Sequence, residues 1–491
     1  MNGRRTMRGL GLVVLGLLAG TLVACGGGRE RRAREPGAAV WATPAAVPLA
    51  AETAERLQAA GVVELFLEGG RIENGAGTVR VERLFGAAPR TVGRTMLVVR
   101  GRAPEGKSGA EALANELRAV VAEADGRGIR PAGLHLDFDP VPSGLQLIEL
   151  LGPVRKALPA DRLLSVTIPR TALGDRDLPR VAKLTDFWVV FLFGQRPGEA
   201  EEFSFWDFYR TEQDARRVDA LGEPFLLGVS TLATCSRLGP DGGVREVRTA
   251  FRLFPLLVHR GLERVPGSLL LGVDCQVVEL RTRSRLGIDG WRLEPKDRLR
   301  MVRAPVHLVE ELERLAGSWG LARHLGQLFY RLPEAGEGLS LSGAALAAAL
   351  EPGAATPEIE VAIETLPARS GRLRFRVHLQ NRSDLPTEIA ALEHNFLTLH
   401  APGARVHDVD LGEFSRYDLA RSDARGERRG VLRADEVRLF VPMLEAGAEI
   451  VSGPLELIAP GRSQRLLISF DFLLPDGRVL APPATEWELG N

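Results

Sequence analysis

Gly133-Leu134-His135-Leu136-Asp137-Phe138-Asp139-Pro140 (GLHLDFDP) is the stretch on which the reading of the fold turns. Strict alternation sends Leu134, Leu136 and Phe138 to one face of a strand and His135, Asp137 and Asp139 to the other. An apolar face packed on helices leaves the polar face looking into a barrel or a cleft. The two carboxylates then stand at the carboxyl end of the strand, where barrel enzymes carry their chemistry. Residues two apart are spaced roughly 6 to 7 Å along a strand, so these side chains can converge. Like charges in a partly desolvated cleft resist ionising together, which leaves an acid beside a base. Glycosidic bond cleavage uses that division of labour.

Outward from this strand, short apolar runs alternate with amphipathic helical stretches, the pattern of parallel strands with crossover helices. Eight strands are expected: Ala39–Thr43, Val62–Glu68, Thr95–Arg100, Gly133–Asp139, Leu163–Ile168, Phe187–Phe193, Pro224–Thr231 and Gly326–Leu332. Helices are expected over Ala51–Ala60, Ala110–Glu123, Leu145–Ala157, Arg245–Leu262, Val306–Trp319 and Ser340–Leu350. This is the signature of an α/β fold, a (β/α)8 TIM-like barrel over residues 39–352. Ser268–Leu280 and Gly287–Leu293 read as a β-hairpin inserted on the rim; in the alternative, Ser268–Asp274 is itself the eighth strand. From Thr356 the helical periodicity stops. Leu373, Phe375, Val377 and Leu379 alternate with Arg374, Arg376, His378 and Gln380, and Leu466, Ile468, Phe470 and Phe472 repeat the theme. Residues 353–491 therefore read as a C-terminal all-β sandwich of immunoglobulin-like size.

At the N-terminus, Arg4, Arg5 and Arg8 precede an apolar run from Leu10 to Leu22, followed by Leu22-Val23-Ala24-Cys25. This resembles a bacterial lipoprotein signal over residues 1–25, with a flexible tether over residues 26–38. The resemblance implies cleavage before Cys25, lipidation of its sulfur, and anchoring to a membrane of the bacterial cell envelope. The other readings of the same run are an ordinary secretory signal or a short membrane helix. The 491 residues carry 63 basic and 63 acidic side chains, interspersed, so no nucleic-acid-binding face stands out. Export permits a disulfide between Cys235 and Cys275; the alternatives are two buried thiols or one reactive cysteine. No Cys-His spacing of a metal site and no cofactor motif is present, so neither metal nor cofactor is expected.

The acidic fourth strand resembles the chitinase-type glycoside hydrolases, whose motif reads Asp-x-x-Asp-x-Asp-x-Glu with the final Glu as acid. Aligning Asp137 and Asp139 with its last two aspartates puts Val141 in the acid's place; shifting the frame makes Asp139 the acid and sets His135 where an Asp belongs. A closer resemblance is to an uncharacterised bacterial lipoprotein family built on a domain of unknown function with a glycoside-hydrolase-like barrel. It runs through Val40-Trp41, Met96–Arg100 (MLVVR), Gly133–Asp139 and Leu164–Pro169 (LSVTIP), and implies the barrel and the envelope setting without a substrate.

Asp137 and Asp139 are the candidate catalytic pair. His135, Glu68, Arg100, Thr167, Arg170, Gln195 and Arg331 are candidate substrate-binding residues from predicted strand ends, with Arg102 and Ser230 as further polar groups there. An arginine beside Asp137 holds that carboxylate ionised and makes Asp139 the acid. Three functional classes follow: an envelope-anchored hydrolase of a polysaccharide, a non-catalytic glycan-binding lipoprotein that keeps the barrel as scaffold, and an envelope structural protein with protein partners.

Overall fold

The computed structural model describes residues 36–490 except 48, 76–77, 86–91, 192–207, 266–269, 272–275, 305, 352–355, 384, 391–393, 424–425, 430–432, 462 and 475–477. Nine strands share the first sheet. Eight of them are parallel: β1 (Ala38–Ala42), β2 (Val62–Gly75), β3 (Arg94–Gly101), β4 (Gly133–Phe138), β5 (Leu163–Pro169), β6 (Phe187–Phe191), β7 (Phe225–Ser230) and β8 (His324–Tyr330). Pairing of β1 with both β2 and β8 closes them into a barrel. All eight expected strands are these eight, and His324–Tyr330 is the eighth; of Ser268–Asp274 only Leu270–Leu271 is described, and it pairs outside the barrel.

Helices cover the outside: α1 (Ala51–Ala59), α2 (Gly106–Gly126), α3 (Gly144–Ala157), α4 (Leu178–Ala182), α5 (Phe208–Ala220), α7 (Val306–Ser318) and α8 (Gly343–Leu350), with a short α6 (Leu253–Val258) outside this ring. In α2, buried Ala110, Leu113, Ala114, Leu117, Val120, Val121 and Ala124 make the apolar stripe that faces the sheet. Ser143 starts α3 with a capping box, its hydroxyl accepting from the Gln146 amide while the Gln146 side chain accepts from the Ser143 amide. Alternation along the strands produces two concentric cores. Leu134, Leu136 and Phe138 pack outward with the helices, while Trp41, Phe66, Val98, Val189 and Leu328 fill the lumen.

Among the described residues no helix lies between β2 and β3. The strand shifts register between Glu68 and Gly70, runs on to Gly75, and returns antiparallel as Thr78–Arg83. Gly69 and Gly70 allow this, because a Cβ on the first meets Leu97 at 2.2 Å and one on the second meets Val81 at 2.7 Å. Ile72 and Val81 supply the buried side chains of the hairpin, and Arg83 pairs with Glu116 of α2 at 2.8 Å. The hairpin covers the outer wall that a crossover helix covers elsewhere.

Between β7 and α7 lies a larger insertion than a hairpin. Thr234–Leu238, Val244–Arg248, Leu262–Arg264, Leu270–Leu271, Gln276–Thr282 and Arg298–Arg303 form one antiparallel sheet. The long helix expected over Arg245–Leu262 is instead a strand, the one-and-a-half turns of α6, and another strand. Val244–Arg248 alternates in exposure and pairs with Thr234–Leu238, and helix begins only at Leu253. The expected pairing of Ser268–Leu280 with Gly287–Leu293 also changes. Leu286–Ile288 and Trp291–Leu293 close on each other through Asp289-Gly290, both at positive φ, the dipeptide that two-residue hairpins favour. Gln276–Thr282 then pairs with Arg298–Arg303.

After α8 come two antiparallel sheets of five and seven strands. Arg372–Asn381 buries every second residue as its alternation requires, and Phe375, Leu379, Leu399, Leu439, Ile468 and Phe472 fill the space between the sheets. The sandwich is joined to the insertion by a buried ion pair, Arg303 with Glu388, and by Ile389 and Met443, which enter the insertion's apolar core. Among the described residues no helix is long and apolar enough to cross a membrane.

Candidate active site at the barrel mouth

Inward positions follow the parity set by β4. Arg100 lies directly opposite Asp137 in the β3–β4 register, Val98 opposite His135, and His135 opposite Ser165. One layer at the carboxyl ends therefore holds Glu68, Arg100, Asp137, Thr167, Phe191, Ser230 and Tyr330; the layer beneath holds Trp41, Phe66, Val98, His135, Ser165, Val189, Gly228 and Leu328. Gly228 matters to that packing, since a Cβ there would meet the Phe191 ring at 2.1 Å.

Arg100 is the hub of the upper layer. Its guanidinium lies 3.7 Å from Glu68 and 3.7 Å from Asp137, and donates to the Tyr330 hydroxyl at 3.3 Å. Burial works against its charge, but Tyr330, Asp137 and Glu68 more than offset this and push its pKa up. Asp137 is only 13% exposed. Burial pushes its carboxyl above the ordinary range and the nearby Asp139 adds to this, against the opposing pull of Arg100 and of a hydrogen bond donated by Thr167. The expected arginine is thus present, but desolvation outweighs its pull on the Asp137 carboxyl. Asp137 is thereby driven toward its protonated form.

Asp139 departs from the expected pair in position as well. The strand ends at Phe138, the Asp139 amide donates to the Gly101 carbonyl at 3.0 Å, and the residue is exposed as the chain turns into Pro140. The two acids remain within electrostatic reach of each other, but only Asp137 belongs to the barrel interior.

His135 and Thr167 lie too deep to line an opening. His135 is fully buried against Trp41 and Phe66, its ring edge-on to theirs at 5.6 and 5.2 Å. Its Nδ1 meets the Ser165 hydroxyl at 2.9 Å and its Nε2 the Thr167 hydroxyl at 3.0 Å. Both ring nitrogens are paired, which avoids the 1–3 kcal/mol (roughly) of an unsatisfied buried polar group. Burial lowers its pKa to about 3, so it is neutral across the physiological range.

Other expected binding residues turn to structural partners. Arg170 lies 2.7 Å from Asp214 of α5, which also holds Arg217. Arg331 is clamped by Glu337, with contacts of 2.7 and 2.9 Å, and by Glu334 at 3.1 Å. Ser230 accepts from the Leu232 amide at 3.4 Å. Gln195, Cys25 and Cys275 lie outside the described residues; Cys235 is a buried thiol whose pKa burial raises. Among the described residues, no group of three or more His, Cys, Asp or Glu is arranged around a metal position.

The sequence reading missed Tyr330 and Phe191. Tyr330 sits edge-on to Trp41 at 5.1 Å and to Phe191 at 5.5 Å, and these half-buried rings form the rim opposite Asp137. The signal was parity: Tyr330 follows Gly326 and Leu328 inward, whereas Arg331 lies one residue beyond the strand. Two clefts, of about 630 and 320 Å³, flank the Arg102–Gly106 loop outside the lumen; Asn74, Thr78 and Ser108 line the first, and Pro140, Gln146 and Glu149 the second.

No family model matches the chain, and no curated protein matches it. Among solved structures it is similar to the spore cortex-lytic enzyme SleL of Bacillus cereus (11% identity, 65% of this chain and 74% of that one, TM-score 0.41). It is also similar to a chitinase of Chromobacterium violaceum (14% identity, 64% and 98%, TM-score 0.41) and to a chitinase of Bacillus thuringiensis (10% identity, 91% and 100%, TM-score 0.41). Likeness of that order carries no argument about chemistry: the barrel rests on its own strand pairing and the site on its own contacts.

Proposed function

We propose that the barrel mouth is a glycan-acting site in which Asp137 is the proton donor, on a chain held at the bacterial envelope by a lipid on Cys25. The observation that carries the catalytic part is the buried Asp137 carboxyl, raised in pKa at the carboxyl end of β4. Protonating a glycosidic oxygen near neutral pH needs an acid that still holds its proton there, and burial is the usual means. Glu68, across Arg100, is the second carboxylate of the layer. The Phe191 and Tyr330 rings beside these polar groups supply the apolar-plus-polar lining of a ligand site. Support for the anchor is the basic, apolar and Cys25 pattern of the first 25 residues.

A second reading, glycan binding without turnover, is favoured by one contact. Arg100 touches both Glu68 and Asp137, and so occupies the space between the two carboxylates that a cleaving site gives to the sugar. Reducing-end release over a panel of envelope and environmental polysaccharides separates the readings. Hydrolysis predicts release by the wild type, lost by at least ~10²-fold in Asp137→Asn and little changed in Asp139→Asn. Retention on immobilised glycan with no release supports the binding reading. Neither release nor retention on any glycan overturns both.

A further inference from the structure

The buried histidine has no access to a ligand, yet it stands in an unbroken polar chain that ends on the candidate acid. Ser165 Oγ meets His135 Nδ1 at 2.9 Å, His135 Nε2 meets Thr167 Oγ1 at 3.0 Å, and the Thr167 hydroxyl donates to the Asp137 carboxylate. A hydroxyl has one proton to give. While Asp137 is ionised, Thr167 spends its proton on the carboxylate, so its oxygen accepts from Nε2–H. His135 Nδ1 is then unprotonated and accepts from Ser165. Every donor in the chain points toward Asp137.

Protonating Asp137 reverses the logic. The carboxyl becomes a donor to Thr167 Oγ1, the Thr167 proton turns to His135 Nε2, and the imidazole carries its proton on Nδ1, donating to Ser165. The net change is one proton from solvent onto Asp137. The ring holds one proton before and after and never becomes a cation.

We infer that His135 is a positioning residue for Asp137: its neutral tautomer switches with the protonation state of that carboxyl, through Thr167, and so holds Asp137 in a donor-matched orientation in both states. The inference rests on the reading of Asp137 as a proton donor but on no particular substrate. The groups around the chain allow the linkage. Trp41 of β1, Phe66 of β2 and Val98 of β3 enclose the imidazole without offering it a charge. The charged groups stand in the layers above and below: Glu68, Arg100 and Asp137 above, with the Tyr330 hydroxyl on Arg100 and exposed Asp139 beyond, and Glu64 with Arg94 below, 3.8 Å apart. Burial keeps the ring neutral throughout.

Nitrogen-15 NMR of the full chain labelled at its 8 histidines tests this without any glycan. The His135 signal is identified by its absence in His135→Gln, or by its response in Thr167→Val if that first variant fails to fold. Expected in the wild type is an exchange of the pyridine-type signal from Nδ1 to Nε2 as pH falls through the Asp137 titration. The exchange should vanish in Asp137→Asn and in Thr167→Val. A tautomer that stays fixed while the Asp137 carboxyl titrates, or an imidazolium signal at that pH, overturns the proposal. Because no substrate enters, a missing tautomer switch leaves the glycan reading standing, and a missing glycan activity leaves the switch standing.

Discussion

Asp137 sets two demands against each other. Its burial raises the folded-state pKa above that of the unfolded chain, so the folded state binds the extra proton. The stability this contributes is fully present below the ordinary aspartate pKa and is lost as pH rises through the folded-state value. Asp137→Asn removes that loss. Urea denaturation should find the variant more stable than the wild type at neutral pH and less dependent on pH, even as catalysis disappears. Turnover by the wild type should decline as pH rises through the same titration, since the donor must hold its proton. Gly228→Ala tests the floor beneath. Its Cβ would enter the Phe191 ring, so a loss of about 1–3 kcal/mol is expected, with altered ligand affinity because Phe191 lines the rim.

At the scale of elements, the eight barrel strands were legible because each is a short apolar run set between helical or turn-rich stretches, a local signal that needs no knowledge of partners. The insertion was less legible for the converse reason. Val244–Arg248 is short and carries charge on both faces, and only its pairing with Thr234–Leu238 makes it a strand. The Asp289-Gly290 turn was readable locally and points to the correct hairpin. Candidate site residues followed the same rule. Parity placed Glu68, Arg100, Asp137 and Thr167 in one layer, but the depth of His135 arises from rings on β1 and β2, distant in the chain, and the desolvation of Asp137 from its burial in the closed barrel. The Arg303–Glu388 pair makes an element-scale prediction. Both side chains are at most 6% exposed, so Arg303→Met leaves an unpaired buried carboxylate and should cost about 3–5 kcal/mol. Replacing both by Met and Leu should recover most of that loss, as read by denaturant midpoints.

Across the whole molecule, the proposed lipid anchor precedes a barrel with a polar mouth and a sandwich fastened to the barrel's insertion. Cys25→Ala should abolish incorporation of labelled palmitate and move the protein from the membrane pellet to the soluble fraction; retention of both label and sedimentation would contradict the anchor. The ionisation of Asp137 at the barrel mouth can be measured before any substrate is known. Carbon-13 NMR of aspartate carboxyls, with Asp137 assigned by difference against Asp137→Asn, measures its ionisation directly. A midpoint well above the ordinary aspartate value of 3.8 is predicted. A midpoint at or below that value would mean that Arg100 holds the carboxylate ionised, and would contradict the assignment of Asp137 as proton donor.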